Sequence, residues 1–144
     1  LGVPTYLFLG DEPHGSLTLH KDEMIQLSQP NSNVRYQIMS PMPTGEFVPQ
    51  SLVARFELAP RSVDGELPVI HPSEEIVLLE RGPVDVIIDG KAVRLEAGDT
   101  TLIRSNLPHI LSNPTDEIVT GYSIFTPAVW FPNTHRGSKR DSDT

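Results

Sequence analysis

The chain has 144 residues, 38% of them hydrophobic and 21% charged, which is typical of one globular domain with its own core. Its formal net charge of -8 repels phosphate backbones, so we expect this chain not to bind DNA by itself. It has no cysteine, which excludes disulfides and thiolate metal sites. No apolar run approaches the roughly 20 residues of a membrane span, and we expect a cytoplasmic protein without a membrane partner.

The two ends of the chain differ in character from its middle. The chain opens with Leu1 instead of methionine, and an apolar run, LGVPTYLFLG, precedes several polar, proline and glycine residues. We interpret residues 1–16 as a short helical remnant of an upstream domain, missing from this chain, followed by a linker. We interpret the polar residues 133–144 as a frayed tail.

The middle of the chain, residues 17–132, has the pattern of an all-β domain. The chain's 14 prolines and 10 glycines disfavour long helices. Short runs rich in β-branched and aromatic residues recur about every ten residues, which predicts a β sandwich or barrel. The predicted strands are VRYQIM, LVARFEL, EIVLLER, VDVIID, KAVRLEAGD, TLIR, HILSN and EIVTGYSIF.

One of these strand pairs carries a specific turn signal. In VDVIIDGKAVRL, residues 84–95, alternating apolar residues flank the dipeptide Asp89-Gly90. This dipeptide is typical of a two-residue hairpin turn. The sequence therefore predicts a β-hairpin here.

The stretch HPSEEIVLLERG, residues 71–82, brings together residues that bind metals. His71 precedes Glu75 by four residues, and His109 begins a later predicted strand. If all three face the interior of a barrel, they form a two-histidine, one-carboxylate set. Such a set suits one divalent transition metal, Fe(II), Mn(II), Ni(II) or Zn(II), and leaves positions open. Alternatively, the two histidines are interior side chains that hydrogen-bond Glu75 and line a pocket for an organic ligand.

Strand alternation predicts that these side chains converge. Alternate residues of a strand share a face, so Glu75 would point inward together with Val77 and Leu79. His109 would likewise share a face with Leu111. The polar cluster would then lie against an apolar wall, as in small-ligand pockets.

Two arginines are further candidates for ligand binding. Arg55 lies within a predicted strand and Arg104 at the end of another, in an otherwise acidic chain, so each could contact an anionic ligand. The alternative is a solvated or salt-bridged position. The sequence shows no Ser/His/Asp pattern, phosphate-binding glycine loop or dinucleotide fingerprint.

Residues 69–82 resemble the first conserved motif of the cupin superfamily. That motif contains His-x-His, then three or four residues, glutamate, six residues and glycine. His71, Glu75 and Gly82 match its second histidine, glutamate and glycine. Val69 stands where the first histidine would be and cannot bind a metal.

Residues 98–113 resemble the second motif of the same superfamily. That motif reads glycine, five residues, Pro-x-Gly, two residues, histidine, three residues and asparagine. Gly98, His109 and Asn113 match at these spacings, whereas Arg104 and Asn106 replace the proline and second glycine. The resemblance implies an all-β fold, the cupin-type double-stranded β-helix or jelly-roll barrel. It also implies a metal site with one ligand missing.

The ends of the chain resemble a known type of regulator. LGVPTYLFLGDE is similar to the exit of a helix-turn-helix DNA-binding domain of the xenobiotic-response-element (XRE) type, and IFTPAVWF to a segment near the end of regulators that join such a domain to a cupin. The resemblance implies an effector-sensing, dimerising cupin domain that reaches DNA only through the missing N-terminal domain. Its partners would be a small-molecule effector and a second copy. The alternatives are a small metal-dependent cupin enzyme, of the dioxygenase or isomerase type, and a dimerisation domain that binds no ligand.

Overall fold

The structure, a computed structural model, describes residues 17–28 and 31–128. In this part of the chain a 3-10 helix, Lys21–Glu23, precedes nine β-strands. The strands are β1 (Ile25–Ser28), β2 (Val34–Ile38), β3 (Leu52–Leu58), β4 (Glu74–Arg81), β5 (Val84–Ile88), β6 (Lys91–Leu95), β7 (Thr100–Ile103), β8 (His109–Ser112) and β9 (Val119–Thr126). The helical remnant and linker predicted for 1–16, the tail predicted for 133–144 and the aromatic pair at 130–131 lie outside the described residues.

The strands form two antiparallel sheets. The larger sheet has the order β1-β2-β3-β9-β4-β7 and the smaller one β6-β5-β8. Isolated bridges from Val63 to Ser112 and from Val69 to His109 place the segment 63–69 along the free edge of β8. Because every strand pair is antiparallel and the sheets enclose a common core, the predicted all-β jelly-roll barrel is confirmed.

All eight strands predicted from the sequence are present, with ends that differ by a few residues. The run KAVRLEAGD is shorter as a strand, because a turn follows Leu95 in which the Asp99 carboxylate accepts a hydrogen bond from the Glu96 N–H at 2.8 Å. The strand β1 was not predicted. Ile25 and Leu27 alternate with Gln26 and Ser28, but the strand has only four residues and most of them are exposed.

The predicted hairpin is confirmed. Ile88, the last residue of β5, pairs with Lys91, the first residue of β6. Between them Asp89 and Gly90 both have positive φ, 51° and 83°. This backbone conformation defines the tight turn that Asp-Gly favours, because its twist matches that of the strands.

The core lies between the two sheets and follows the alternation of the strands. In β3 and β4 every second side chain is buried, as in Phe56, Leu58, Val77 and Leu79. These residues belong to the larger of two apolar clusters.

The smaller cluster fills one end of the barrel. Its buried members are Ile38, Leu52, Ala54 and Phe125, and Tyr36 packs against both clusters. The Phe125 ring also meets the His71 ring edge-to-face, with centroids 5.4 Å apart. The smaller cluster therefore forms an apolar wall beside the polar residues of the barrel interior.

Among the described residues, no helix is long and apolar enough to cross a membrane.

Candidate metal-binding site

Three polar side chains from separate parts of the chain meet inside the barrel. Glu75 is the second residue of β4 in the larger sheet, and His109 is the first residue of β8 in the smaller one. His71 precedes β4, and its carbonyl accepts a hydrogen bond from the Asn106 N–H at 2.8 Å. One potential ligand atom from each of the three lies within 4.8 Å of the other two. The convergence expected from strand alternation is therefore present in the structure.

The carboxylate of Glu75 is the centre of the cluster. Its Oε1 atom lies 3.2 Å from Nε2 of His71 and 3.2 Å from Nε2 of His109. Its Oε2 atom accepts a hydrogen bond of 2.8 Å from the Ser123 hydroxyl. Glu75 is only 4% exposed, so these contacts replace water around the charge.

The second nitrogen of each histidine is held by the backbone. Nδ1 of His71 lies 3.0 Å from the carbonyl oxygen of Ser73, and Nδ1 of His109 lies 2.9 Å from that of Leu107. A carbonyl oxygen can only accept, so each Nδ1 must carry the hydrogen. The neutral form of each ring then has its lone pair on Nε2, directed at Glu75.

This arrangement concentrates lone pairs in one place. With both rings neutral, two imidazole nitrogens and one carboxylate oxygen face each other without a hydrogen between them. Such a group requires a cation at its centre, either a proton on an Nε2 atom or a metal ion. Metal-binding histidines usually donate their other N–H to a carbonyl or carboxylate, as both do here. The residues present therefore fit a divalent transition metal.

The cluster shifts the pKa values of its members. Burial acts to raise the pKa of Glu75, but hydrogen bonds with His109 and His71 outweigh it and lower this pKa to about 2. Burial acts to lower the pKa of His109, but the hydrogen bonds with Glu75 and the Leu107 carbonyl, together with the nearby negative charges, raise this pKa above its ordinary value. The metal-free cluster thus favours a carboxylate beside a protonated His109.

We expect metal affinity to fall as the pH falls. A metal must displace the proton from His109, so below the pKa of that residue the affinity decreases about tenfold per pH unit. Because this pKa is raised, the decrease begins above the usual histidine value. Competition with a chromophoric chelator, from about pH 8 to about pH 6, measures the effect. An affinity independent of pH over this range would contradict it.

The stability of the metal-free protein should respond to pH in the opposite sense. The raised pKa of His109 contributes stability that is fully present below the unfolded-state pKa and is lost as the pH rises through the folded-state pKa. Chemical denaturation of chelator-treated protein at the same pH values measures this change in the free energy of unfolding.

Val69 occupies the position of the missing histidine. Val69 and His109 exchange two backbone hydrogen bonds, of 2.8 and 3.0 Å. Directly paired residues of antiparallel strands project their side chains to the same face. The Val69 side chain therefore lies on the same face as that of His109, but it offers no ligand atom.

We expect a Val69→His variant to bind metal more tightly than the natural protein. A fourth ligand on the same face as His109 should raise affinity on the order of tenfold or more, because it adds a coordinate bond. Val69 is 41% exposed, so a larger side chain does not overfill the core. Chelator competition measures the affinity, and Val69→Gln, of similar size but a poor metal ligand, is the control. Equal gains in the two variants would contradict the prediction.

The structure does not bring Arg55 into the cluster. The neighbours of Arg55 on β3, Ala54 and Phe56, point into the core, so Arg55 lies on the outer face of the larger sheet. Its guanidinium contacts Glu57 at 3.0 Å and Glu80 at 3.4 Å, which is the salt-bridged alternative. Arg104 is exposed, in the turn between β7 and β8. A role for either in ligand binding stays a prediction.

Other residues of the two motifs have structural roles. The Asn113 side-chain amide donates hydrogen bonds to the carbonyls of Leu58, Ala59 and Glu117 at 2.8–3.1 Å. Asn106, in place of a glycine, has a φ of 62°, a left-handed conformation that asparagine tolerates. The motif therefore preserves the turn and the loop packing that position His109.

Sequence reasoning missed one residue of the site, Ser123. It lies on β9, where Gly121, Ser123 and Phe125 are buried in alternation. Alternation along YSIF could have placed Ser123 inward. Its pairing with Glu75 could not be read from the sequence, because it joins residues 48 positions apart.

The fold and the site together define a small antiparallel β-barrel with an interior cluster of two histidines and a carboxylate. The family described as Cupin domain matches residues 54–125, half of the chain. The chain belongs to this family. A search of curated proteins finds no similar sequence.

Solved structures share the fold at low sequence identity. An RmlC-like cupin from Shewanella frigidimarina is 16% identical, with a TM-score of 0.63 over 79% of this chain and 93% of that one. A predicted oxalate decarboxylase from Thermotoga maritima is 19% identical, with a TM-score of 0.61 over 77% and 99%. The cupin domain of an XRE family transcriptional regulator from Enterobacter cloacae is 19% identical, with a TM-score of 0.55 over 70% and 99%.

Proposed function

We propose that this chain is the effector-sensing and dimerisation domain of a cytoplasmic transcriptional regulator that contacts DNA through a separate N-terminal domain. The likeness to the cupin domain of an XRE family regulator supports this, as does the resemblance of the first residues to the end of a helix-turn-helix domain. The net charge of -8 is consistent with DNA contacts made elsewhere.

The proposed sensing role rests on one observation: lone pairs on two imidazole nitrogens and one carboxylate oxygen meet inside the barrel. In this proposal His71, Glu75 and His109 hold one divalent metal, with Nδ1 of each histidine fixed by a carbonyl. The bound metal supplies a Lewis acid with open coordination positions. A dication balanced by one carboxylate keeps a positive charge, which attracts an anionic oxygen donor as effector.

The surroundings of the cluster favour a particular shape of effector. Phe125 packs against His71, and Ile38, Leu52 and Ala54 extend this apolar wall. A small anion with an apolar body would place its charged oxygens at the metal and its body on the wall. The wall then gives affinity by burial of apolar area, while the polar cluster gives orientation.

Metal loading and a simple anionic probe test the proposal. Protein dialysed against Mn²⁺, Ni²⁺ or Zn²⁺ should retain about one ion per chain. Oxalate, an anion that chelates a metal ion through two of its four oxygens, should bind the loaded protein in a calorimetric titration and should not be consumed. Protein that retains no metal and does not respond to the probe would refute the sensing role.

The same titration distinguishes the alternative, a small metal-dependent enzyme. The likeness to a predicted oxalate decarboxylase favours this second candidate. That reaction converts oxalate and a proton into formate and carbon dioxide. Release of carbon dioxide in repeated turnovers would support the enzyme and count against the sensor. The gene sequence directly upstream of Leu1 gives independent evidence, since the regulator requires a helix-turn-helix domain there.

A further inference from the structure

The outer face of the larger sheet carries an unexpected group of apolar side chains. On β4, Glu75, Val77 and Leu79 point inward, so Ile76 and Leu78 point outward. The same alternation turns residues of β3, β7 and β9 outward. Together these side chains form the outer apolar patch: Val53, Ile76, Leu78, Leu102, Tyr122 and Ile124.

The strand register shows that the patch is continuous. Leu102 pairs with Ile76, Ile76 with Ile124, and Ile124 with Val53, so one apolar row crosses four adjacent strands. At a strand spacing of about 4.8 Å this row is about 14 Å wide. Leu78, next to it along β4, extends the patch into a second row with Tyr122.

Such a face is unusual for an antiparallel sheet that borders water. A solvated face normally carries polar side chains in alternation with the buried ones. Here β4 carries apolar residues on both faces, and Tyr122 and Ile124 of β9 also point outward, a pattern closer to that of strands covered on both sides. Yet Leu102 is 46% exposed in the described structure. The other five residues of the patch are half-buried. Contiguous apolar surface of this kind, at least partly exposed, usually marks an interaction site.

We propose that the outer apolar patch is the interface of a homodimer, in which it packs against the same patch of a second copy. This inference rests on the dimerisation part of the proposed function and names the surface responsible for it.

The charges around the patch favour a second copy as the occupant. Two chains of net charge -8 repel each other, so they must meet where that charge is absent or balanced. The patch itself is uncharged. The cluster beside it holds two arginines and two glutamates, Arg35, Arg55, Glu57 and Glu80, already linked by contacts of 3.0 to 4.0 Å.

A simple symmetry makes this cluster self-complementary. A two-fold axis in the interface plane and parallel to the strands brings the same end of both sheets together. With the axis between β3 and β9, β2 of one copy lies opposite β4 of the other, so Arg35 can approach Glu80 of the partner subunit. The two sheets would pack face to face in the aligned manner of β sandwiches.

A Leu102→Lys variant tests the interface. Sedimentation equilibrium of the natural chain should give twice its 15.9 kDa mass at micromolar concentration. Leu102→Lys should weaken the dimer on the order of 100-fold, because a symmetrical interface contains the substitution twice and buries each ammonium without a partner. Leu102 is exposed, so the fold itself should not suffer, as circular dichroism would verify.

The matched control is Ala92→Lys. Ala92 is exposed on β6, an edge strand of the smaller sheet, where it pairs with Ile87 and faces away from the core. This variant should remain dimeric. As a second test, Arg35→Glu changes an exposed side chain and makes the flanking cluster net negative in both copies. It should also weaken the dimer, and added salt should partly restore it.

Several outcomes would overturn the interface. A monomeric natural chain at about 100 µM would do so, since specific dimers normally persist at that concentration. So would a Leu102→Lys variant that dimerises as the natural chain does, which would assign the contact to another surface. The interface would also be overturned by a monomeric natural chain whose β4 and β9 amides exchange hydrogen more slowly than those of the Leu102→Lys variant. That result would mean that a segment of the same chain covers the patch. Metal retention and oxalate binding do not depend on this face. Measurements of these two properties therefore test the sensing role independently of the interface.

Discussion

A His109→Ala variant should lose metal binding almost completely, with affinity falling on the order of 100-fold or more. Loss of a residue that merely orients a ligand commonly costs 10- to 100-fold, and His109 supplies a ligand atom itself. The remaining pair, His71 and Glu75, cannot enclose an ion, because Val69 adds no fourth donor. Elemental analysis of protein purified without chelator gives the stoichiometry, and chelator competition gives the affinity.

The control for this prediction is His20→Ala. His20 is exposed beside the 3-10 helix and contributes no atom to the cluster, so its loss should leave metal content unchanged. Full metal occupancy in His109→Ala would show that the cluster is not the binding site. The two histidines would then be interior side chains that hydrogen-bond Glu75, as the sequence also allows.

A Gly121→Ala variant should be strongly destabilised. A Cβ atom at this position would lie 2.6 Å from the carbonyl oxygen of Leu78 and 2.8 Å from Cζ of Phe56. Neither neighbour can move easily, because Leu78 belongs to the ladder between β4 and β9 and Phe56 is buried in the core. We expect a loss of about 3 kcal/mol, equivalent to a fall in melting temperature of about 10 °C.

The control for this prediction is Gly45→Ala. No atom lies within 4 Å of a Cβ built on Gly45. The free energy of unfolding of that variant should therefore lie within about 0.5 kcal/mol of that of the natural protein. Chemical denaturation of the two variants side by side separates a steric effect from a general cost of replacing glycine. Equal stability of Gly121→Ala and the natural chain would mean that β4 and β9 can separate to admit a methyl group.

The sequence alone predicted the strands and the two motifs because both depend on local spacing. Alternation along EIVLLER placed Glu75 on the same face as Val77 and Leu79, and Asp89-Gly90 marked the hairpin. The resemblance to the first cupin motif indicated that Val69 stands where a metal-binding histidine would be. Periods of two residues and fixed turns are properties of a few neighbouring residues, so they can be read without a fold.

The strand β1 shows where local reading ends. The alternation of Ile25 and Leu27 with polar residues covers only four positions, too few to separate a strand from a loop, and the pairing with β2 is what makes this segment a strand. Arg55 was a candidate for the ligand pocket, although its alternation with Ala54 and Phe56 already indicated that it lies on the face opposite these apolar residues. Which face of a strand is the inner one depends on what packs against it, and this information is spread over the chain.

Local patterns in the sequence predict the strands and the hairpin and point to the candidate ligands. Three other features become visible in the folded chain: Ser123 donates a hydrogen bond to Glu75, backbone carbonyls direct both Nε2 atoms to one point, and six side chains form the outer apolar patch. The physical reason is that these features join residues far apart in the chain. Strand order and register bring them together, and neither is encoded by the spacing of neighbouring residues.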